Sequence, residues 1–345
     1  MKTHQRSLFD ETNQMDKLSK MGDPLERLNE IIDWEMFCPI LKKYVVRNEP
    51  SAKGGRPPYD VVLMFKILIL QRLYNISDDQ TEYQINDRLS FKRFLGLVVG
   101  EPVPDAKTIW KFRDDLSQTE DAIRDLFLRF DKALEAEGLI THKGTIIDAT
   151  FVDVPRQRNS RDDSKTIKSG EIPEEWTTPE KSSMLAQKDT DARWAKKNNE
   201  THFGYKDHVK CDAESKLITN FGVTAASVHD SQMCLELLEE TDTVLYADSG
   251  YAGSPIADGL PDGCIGEICE KGTKHHPLTN EQKAENRRKS KTRCRVEHIF
   301  GFMTNSLGGI NIRSIGFARA WVNIGLMNIT YNLRRYTFLK QAAPC

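Results

Sequence analysis

The chain has no apolar run long enough to cross a bilayer, which takes roughly 20 residues. The longest candidate, Val61 to Leu70, is interrupted by Lys66, so no membrane span is expected. The opening Met1-Lys-Thr-His-Gln-Arg6 leads into a polar stretch without a signal-peptide core, and a cytoplasmic location is the expectation. Cys-x-x-Cys pairs are absent. The seven cysteines, Cys38, Cys211, Cys234, Cys264, Cys269, Cys294 and Cys345, are scattered and odd in number. Free thiols in a reducing cytosol are the simple reading, and Cys264 with Cys269 lacks the matching pair of a zinc site. Excess charge is lacking too: a net −2 says nothing by itself about nucleic acid.

The distribution of charge says more. Residues 271–345 hold 14 Lys+Arg and 3 Asp+Glu, a balance of +11 that leaves −13 for residues 1–270. Such a block is either a phosphate-binding surface or a solvated helix face. A length of 345 residues with 39% hydrophobic content fits one large or two ordinary domains with a core.

Residues 1–22 are polar and are expected to be loosely held. Asp23-Pro24 reads as a helix cap, with apolar residues following at helical spacing. A short helix is expected over Trp34 to Val46, a linker over 49–58, and a strongly apolar central helix over Tyr59 to Tyr74. Ser77-Asp-Asp-Gln80 and Ser117-Gln-Thr-Glu120 read as capping boxes, the second opening a long helix that ends near Gly138. Asp105 caps a helix bearing Trp110, in which Lys107, Lys111 and Arg113 would face phosphates or bases while Ile109, Phe112 and Leu116 pack inward. It fits either a helix-turn-helix recognition element or a plain bundle helix. Trp110, Trp194 and Trp321 read as packing residues.

The pattern changes at Gly144. Strands are expected over 144–154, 202–211, 216–227, 243–248 and 263–269, the second and third as a hairpin. Helices are expected over 232–240, from about 281 to 303, and from about 318 to 339. Residues 155–200 read as an insertion or mobile arm. The domain reading is a flexible 1–22, an all-α DNA-binding domain over 23–140, a catalytic domain over 141–310, and a basic C-terminal helix over 311–345 packed on it. The fold class is α+β or α/β: a ribonuclease-H-like mixed sheet with flanking helices.

Asp148 lies mid-strand in Gly144-Thr-Ile-Ile-Asp-Ala-Thr150. Alone it could be a hydrogen-bonded edge or turn residue, or a metal ligand. A second strand of the same kind ends at Asp248, and Glu297 lies on a later helix. Carboxylates suit hard ions such as Mg²⁺. Two ions about 3.5–4 Å apart can clamp both oxygens of an in-line phosphodiester displacement. Asp148 suits a bridging position, with Asp248 and Glu297 flanking. Arg293 is either an i,i+4 partner of Glu297 or a phosphate contact, and Lys289, Lys291 and Arg295 make its helix basic. His208 and His229 could be core or capping residues, or lie behind the metal ligands. Gly301 reads as a site of close helix packing.

These residues resemble bacterial insertion-sequence DDE transposases, specifically the insertion-sequence-five group. The matching segments are Gly54-Gly-Arg-Pro-Pro58, Pro104-Asp-Ala-Lys-Thr-Ile-Trp-Lys-Phe-Arg113, Ile147-Asp148-Ala-Thr150 and Phe203-Gly-Tyr-Lys206 with His208. Val228-His-Asp230, Ala247-Asp-Ser-Gly-Tyr251, Arg293-Cys-Arg-Val-Glu-His-Ile-Phe-Gly301 and Tyr331-Asn-Leu-Arg334 complete the series. The resemblance implies Asp148, Asp248 and Glu297 as catalytic, metal-binding residues for two Mg²⁺ ions, with Mn²⁺ as a substitute. It also implies double-stranded DNA partners (terminal inverted repeats and target DNA), a homo-oligomer, and a nucleoid-associated protein of the bacterial cytoplasm. The group's signature has Tyr three residues before the Arg and Lys seven after the Glu; here Ser290 and Thr304 stand there. Lys289, Lys291 or Arg295 would then supply the missing contact to DNA. Asp189, Asp191, Arg193 and Lys196-Lys197 also match; they are read as a surface ion-pair cluster, with contact to a substrate strand as the alternative. A transposase-derived DNA-binding regulator and a nuclease that cuts without joining are the alternative functions.

Overall fold

Caps and apolar spacing set most of the N-terminal helices. In the computed structural model, which describes residues 10–45, 57–197 and 199–342 apart from the Ser182 side chain, Asp23 accepts a hydrogen bond from Leu25 N–H ahead of the helix Pro24–Ile31. Ser77 accepts from Gln80 N–H at the start of Asp78–Asp87, and Asp105 from Thr108 N–H before Ala106–Leu116. The helix Val61–Tyr74 buries Phe65, Ile67, Ile69 and Leu70 completely, so no polar stripe develops on it. Trp34, Phe37 and Phe94 pack around Phe65 and one another at centroid distances of 4.9 to 6.4 Å. The expected linker 49–58 lies outside the described residues up to position 56, as do Val46 and the first three residues of Gly54–Pro58.

Two expectations for this half need correction. The stretch 1–22 is not loose where it is described: Asp10–Lys20 is a helix. Arg93 ties it down, donating to Met15 O at 3.2 Å and Ser19 Oγ at 2.8 Å while pairing with Asp23 at 2.5 Å. The capping box at Ser117–Glu120 does not form; Glu120 precedes the helix Asp121–Ala136 without a side-chain capping bond.

The chain divides into two compact units, Met1–Leu116 with Leu333–Cys345, and Ser117–Asn332. The boundary therefore falls before Asp121–Ala136 rather than near 140. That helix packs on the sheet, with Phe127 against Phe221 at 5.0 Å. The final helix, Phe317–Ala342, contributes its first part to the second unit and its end to the first, which differs from the expected separate C-terminal element.

The second unit is built on a six-stranded mixed sheet: β1 Thr145–Asp153, β2 Arg193–Lys197, β3 Glu200–Asp212, β4 Ile218–Ala225, β5 Val244–Ala247 and β6 Ile265–Ile268. β1 runs antiparallel to β3 and parallel to β5, and β5 is parallel to β6. β2 and β4 both pair with β3 along the edge opposite β1. Side-chain alternation puts Ile146, Asp148, Thr150 and Val152 on one face with Tyr205, Asp207 and Val209, while Ile147 and Ala149 share the other with His208 and Lys210. The first face meets the helix Phe317–Ala342, where Asn328 reaches Asp207 and Trp321 packs on Phe221. Gly325 allows this approach, since a Cβ there would fall 2.5 Å from Ile123 and 3.1 Å from Phe221. The second face is closed by Cys234, Leu237, Tyr251 and Ile256 around Ile147 and Ala247.

Residues 155–200 are not a bare arm. They carry the helix Arg161–Lys168, short helical turns around a buried Trp176, and the unexpected β2. The helix expected over 281–303 is broken: Asn280–Arg293 passes through a 3₁₀ turn, Cys294–Val296, into Glu297–Asn305. The helix over 232–240 shortens to a turn at Asp230–Met233 and Cys234–Leu237. No described helix is long and apolar enough to cross a membrane.

Candidate active site

The register of the two central strands sets the site. β1 and β5 pair in parallel as Thr145 with Leu245 and Ile146 with Tyr246. Continuing that register two residues brings Asp148 level with Asp248, just past the end of β5. Asp148 is held rigidly: its Oδ1 accepts the N–H of Ala149 at 2.8 Å. Asp248 caps the turn Ser249–Tyr251, its Oδ1 accepting Gly250 N–H at 2.7 Å. A Cβ at Gly250 would lie 2.9 Å from that oxygen, so glycine keeps the carboxylate in place.

Glu297 enters from the far side of the 3₁₀ turn Cys294–Val296. Buried Val296 anchors this turn, which packs against β1. Arg293 closes the group, with Nη1 3.4 Å from Asp148 Oδ2 and Nη2 2.7 Å from Glu297 Oε1. The i,i+4 pair with Glu297 thus exists, and it is extended to a third residue from a distant strand.

The electrostatics follow the geometry. Burial pushes the Asp148 carboxyl up to about 6, and the charge of Asp248 adds to the rise; Ala149 N–H, Arg293 and Lys197 oppose it. Burial works against a charged Arg293, but Asp148, Glu297 and Asp248 outweigh it and raise its pKa further. Asp148 and Asp248 are therefore electrostatic neighbours, and one guanidinium serves two of the three acids.

The donor set is all carboxylate oxygen, which suits a hard divalent ion. The guanidinium between Asp148 and Glu297 already shows that the site accepts positive charge. As described, however, the acids are not drawn into a finished cage: among the described residues no group of three His, Cys, Asp or Glu side chains stands close enough to hold a metal ion. In chemistry the residues fit such an ion; in spacing, as described, they do not form its ligand set.

The remaining sequence-based candidates divide. His208 lies on the opposite face of the sheet from Asp148, because it pairs with Ala149; it is fully buried and bonded to Thr224 Oγ1 at 2.8 Å. His229 caps the turn Asp230–Met233 and bonds Ser231 Oγ at 2.8 Å. Both are thus core and capping histidines, and neither is bonded to the three acids. Arg113 does not face outward. It makes a two-pronged pair with Asp78 at 2.8 Å and donates to Gln71 at 2.6 Å inside the helical unit. Burial alone would raise Asp78, but the Arg113 hydrogen bonds hold it below its ordinary value. Lys107 is exposed, and Lys111 is exposed but paired with Asp115. On the basic helix, Lys289 donates to Ile268 O at 3.0 Å and Arg295 to Ala213 O at 2.7 Å, while Lys291 is exposed in an open groove with Lys283 and Arg287. Of the three substitutes for the signature lysine, Lys291 and Arg295 are both exposed, and Arg295 commits one guanidinium nitrogen to Ala213 O. Trp321 is buried as expected, but Trp110 and Trp194 are about half exposed. Gly301 has open space where a Cβ would stand, so close packing does not explain it.

The roles of two groups named in the sequence escaped sequence reasoning. Asp189 is buried and accepts from Tyr205 O–H at 2.7 Å, Ala192 N–H at 2.9 Å and Gly316 N–H at 3.1 Å; Asp191 accepts from Phe317 N–H at 3.0 Å. The two acids cap the final helix rather than forming a surface ion-pair cluster. Lys206 pairs with Asp230 at 2.6 Å, fastening to β3 the turn that packs on the Asp248 turn. Their spacing in Asp189-x-Asp191 and in Val228-His-Asp230 is visible in the sequence, but their partners are too remote for pattern to supply.

Residues 140–333 match the family model described as the Transposase DDE domain, and residues 13–115 match a second, described as Transposase domain (DUF772). The chain belongs to the family of transposases with a DDE domain. Among solved structures, the cryo-electron-microscopy synaptic complex of piggyBac transposase with hairpin DNA is 10% identical with a TM-score of 0.41, over 98% of this chain and 83% of that one. That likeness is too slight to carry an argument.

Proposed function

We propose that this chain is a DNA transposase of the insertion-sequence-five group. Its catalytic unit would be ribonuclease-H-like, a reading supported by the strand directions: three antiparallel strands, β1, β3 and β4, then β5 and β6 parallel to β1. Asp148, Asp248 and Glu297 are the catalytic acids, and they would hold two Mg²⁺ ions, or Mn²⁺ in their place. The observation that carries this is the arrangement of three acids from separate elements, two level on neighbouring strands and two joined by Arg293.

When bound, the ions supply Lewis acidity to both oxygens of an in-line displacement. The chain's own residues do the rest. Asp148 gives a fixed reference point in mid-strand. The Gly250 N–H aims Asp248, and Glu297, the most exposed of the three, can adjust. Lys107 and Lys291 offer positive charge to the phosphate backbone from surfaces where they are exposed. Water attacks the phosphodiester at the element's end, and the freed 3′-hydroxyl then attacks target DNA. A homo-oligomer follows from the need to hold two inverted-repeat ends together.

The test is cleavage of a duplex carrying the element's own terminal repeat, with Mg²⁺ or Mn²⁺. Asp148→Asn, Asp248→Asn and Glu297→Gln should each lose cleavage while retaining the duplex in a gel shift. Cleavage surviving in all three variants ends this reading. A pre-cut end separates joining from cutting alone.

A further inference from the structure

Asp148 has one carboxylate oxygen fixed by its backbone bond, since Oδ1 accepts Ala149 N–H. The other, Oδ2, is the oxygen that Arg293 approaches at 3.4 Å. The second arm of the same guanidinium sits 2.7 Å from Glu297. The cation therefore stands on the oxygen that a metal ion would need, and it joins two of the three acids that must close. This accounts for carboxylates that lie near one another without forming a ligand cage among the described residues.

We propose that Arg293 is the resident counter-ion of the carboxylate site, that it and a divalent ion exclude one another there, and that a DNA phosphate draws it away. The proposal rests on the catalytic reading above. Without any cation the three acids would repel one another, and Arg293 relieves that repulsion while the protein is free. Its hold is breakable. The side chains of Arg293 and Glu297 are 20% and 61% exposed, and ion pairs of this kind are weak. The side chain leaves by rotation about its own bonds, with the helix Asn280–Arg293 intact. Linkage then makes the effect reciprocal: a phosphate that takes Arg293 strengthens metal binding, and metal binding frees Arg293 for phosphate. Metal capture is thereby weak in the free protein and strong on DNA.

The test is Mn²⁺ binding to the full-length protein at pH 8, read as free Mn²⁺ by electron paramagnetic resonance. Asp148→Asn should lose the site, and Arg293→Gln should bind Mn²⁺ roughly two- to fivefold more tightly than wild type, the range expected for removing a partly exposed ion pair. Arg293→Lys, which keeps the charge, should stay close to wild type. A saturating generic duplex should tighten Mn²⁺ binding in wild type and do so less in Arg293→Gln. In the unaltered protein, Mn²⁺ should speed phenylglyoxal modification of Arg293, read by peptide mass. Equal or weaker Mn²⁺ binding by a folded Arg293→Gln, or unchanged or slower modification, overturns the proposal while leaving the catalytic reading intact. Mn²⁺ binding indifferent to Asp148→Asn would instead remove the reading on which the proposal stands.

Discussion

Asp207 is fully buried beside β1, on the same face of the sheet as Asp148, and its one hydrogen bond comes from Asn328 at 3.1 Å. Asp207 Oδ2 and Asn328 Oδ1 are both buried and without a partner. A proton on the carboxyl gives one of them a donor, and burial favours that proton, pushing the group up to about 7 against the weaker pull of Asn328. A carboxyl raised in the fold contributes stability that is present below its ordinary range and lost as pH rises through about 7. Asp207→Asn should therefore be favoured over wild type more at pH 8 than at pH 5, by on the order of 1–3 kcal/mol, because the loss runs from the ordinary carboxyl range up to about 7. Urea midpoints at the two pH values check this, and equal shifts at both would contradict it. At this scale the sequence was legible where chemistry is local: Asp148 and Asp248 sit in β-branched runs that announce strands. It was silent on Asp207, whose partner lies 121 residues away, and it left His208 open between the core and the metal site, because the face of a strand residue depends on pairing that one strand does not reveal.

Elements were legible where their ends carry signals. Asp23, Ser77 and Asp105 each cap the helix that their position announces. The helix Asp10–Lys20 was missed because it buries no residue of its own, and β2 because Arg-Trp-Ala-Lys-Lys has no alternating apolar face. The break at Cys294–Val296 has no Gly or Pro at or before it in the run from Asn280, the first glycine being Gly301, so composition gave no warning of it. Two predictions belong here. Asp189→Ala removes a cap and leaves the Tyr205 hydroxyl and Gly316 N–H without their acceptor. It should cost about 1–3 kcal/mol in urea unfolding. Arg113→Ala should lower the stability of the helical unit by a similar amount, about 1–3 kcal/mol, because Asp78 and Gln71 lose a partly buried cation. Lys107→Ala should leave stability within about 0.5 kcal/mol of wild type. If Arg113→Ala weakened duplex binding without lowering stability, the structural role assigned to it would be wrong.

On the scale of the whole molecule, charge is the property that the sequence stated most plainly. The +11 of residues 271–345 collects in part on the helix Asn280–Arg293, which buries none of its own residues, while the body of the chain is acidic. Duplex binding should therefore weaken steeply with salt. Lys291→Ala should reduce the slope of log affinity against log salt by about 1, as expected for one phosphate contact. An unchanged slope in salt titrations would take Lys291 out of the interface. The order of strands and helices was readable from alternating patterns, whereas the division into units was not: Asp121–Ala136 reads as one more bundle helix until its aromatic face meets β4. The central claim is convergence, that Asp148, Asp248 and Glu297 hold metal at one place. Replacing Mg²⁺ by Fe²⁺ with ascorbate and peroxide tests it most directly, because radicals formed at a bound iron cut the nearest backbone. The account predicts cuts near residues 148, 248 and 297 together on the DNA-bound protein, all lost in Asp148→Asn; cuts at one of these segments alone, or a pattern indifferent to that substitution, would contradict it.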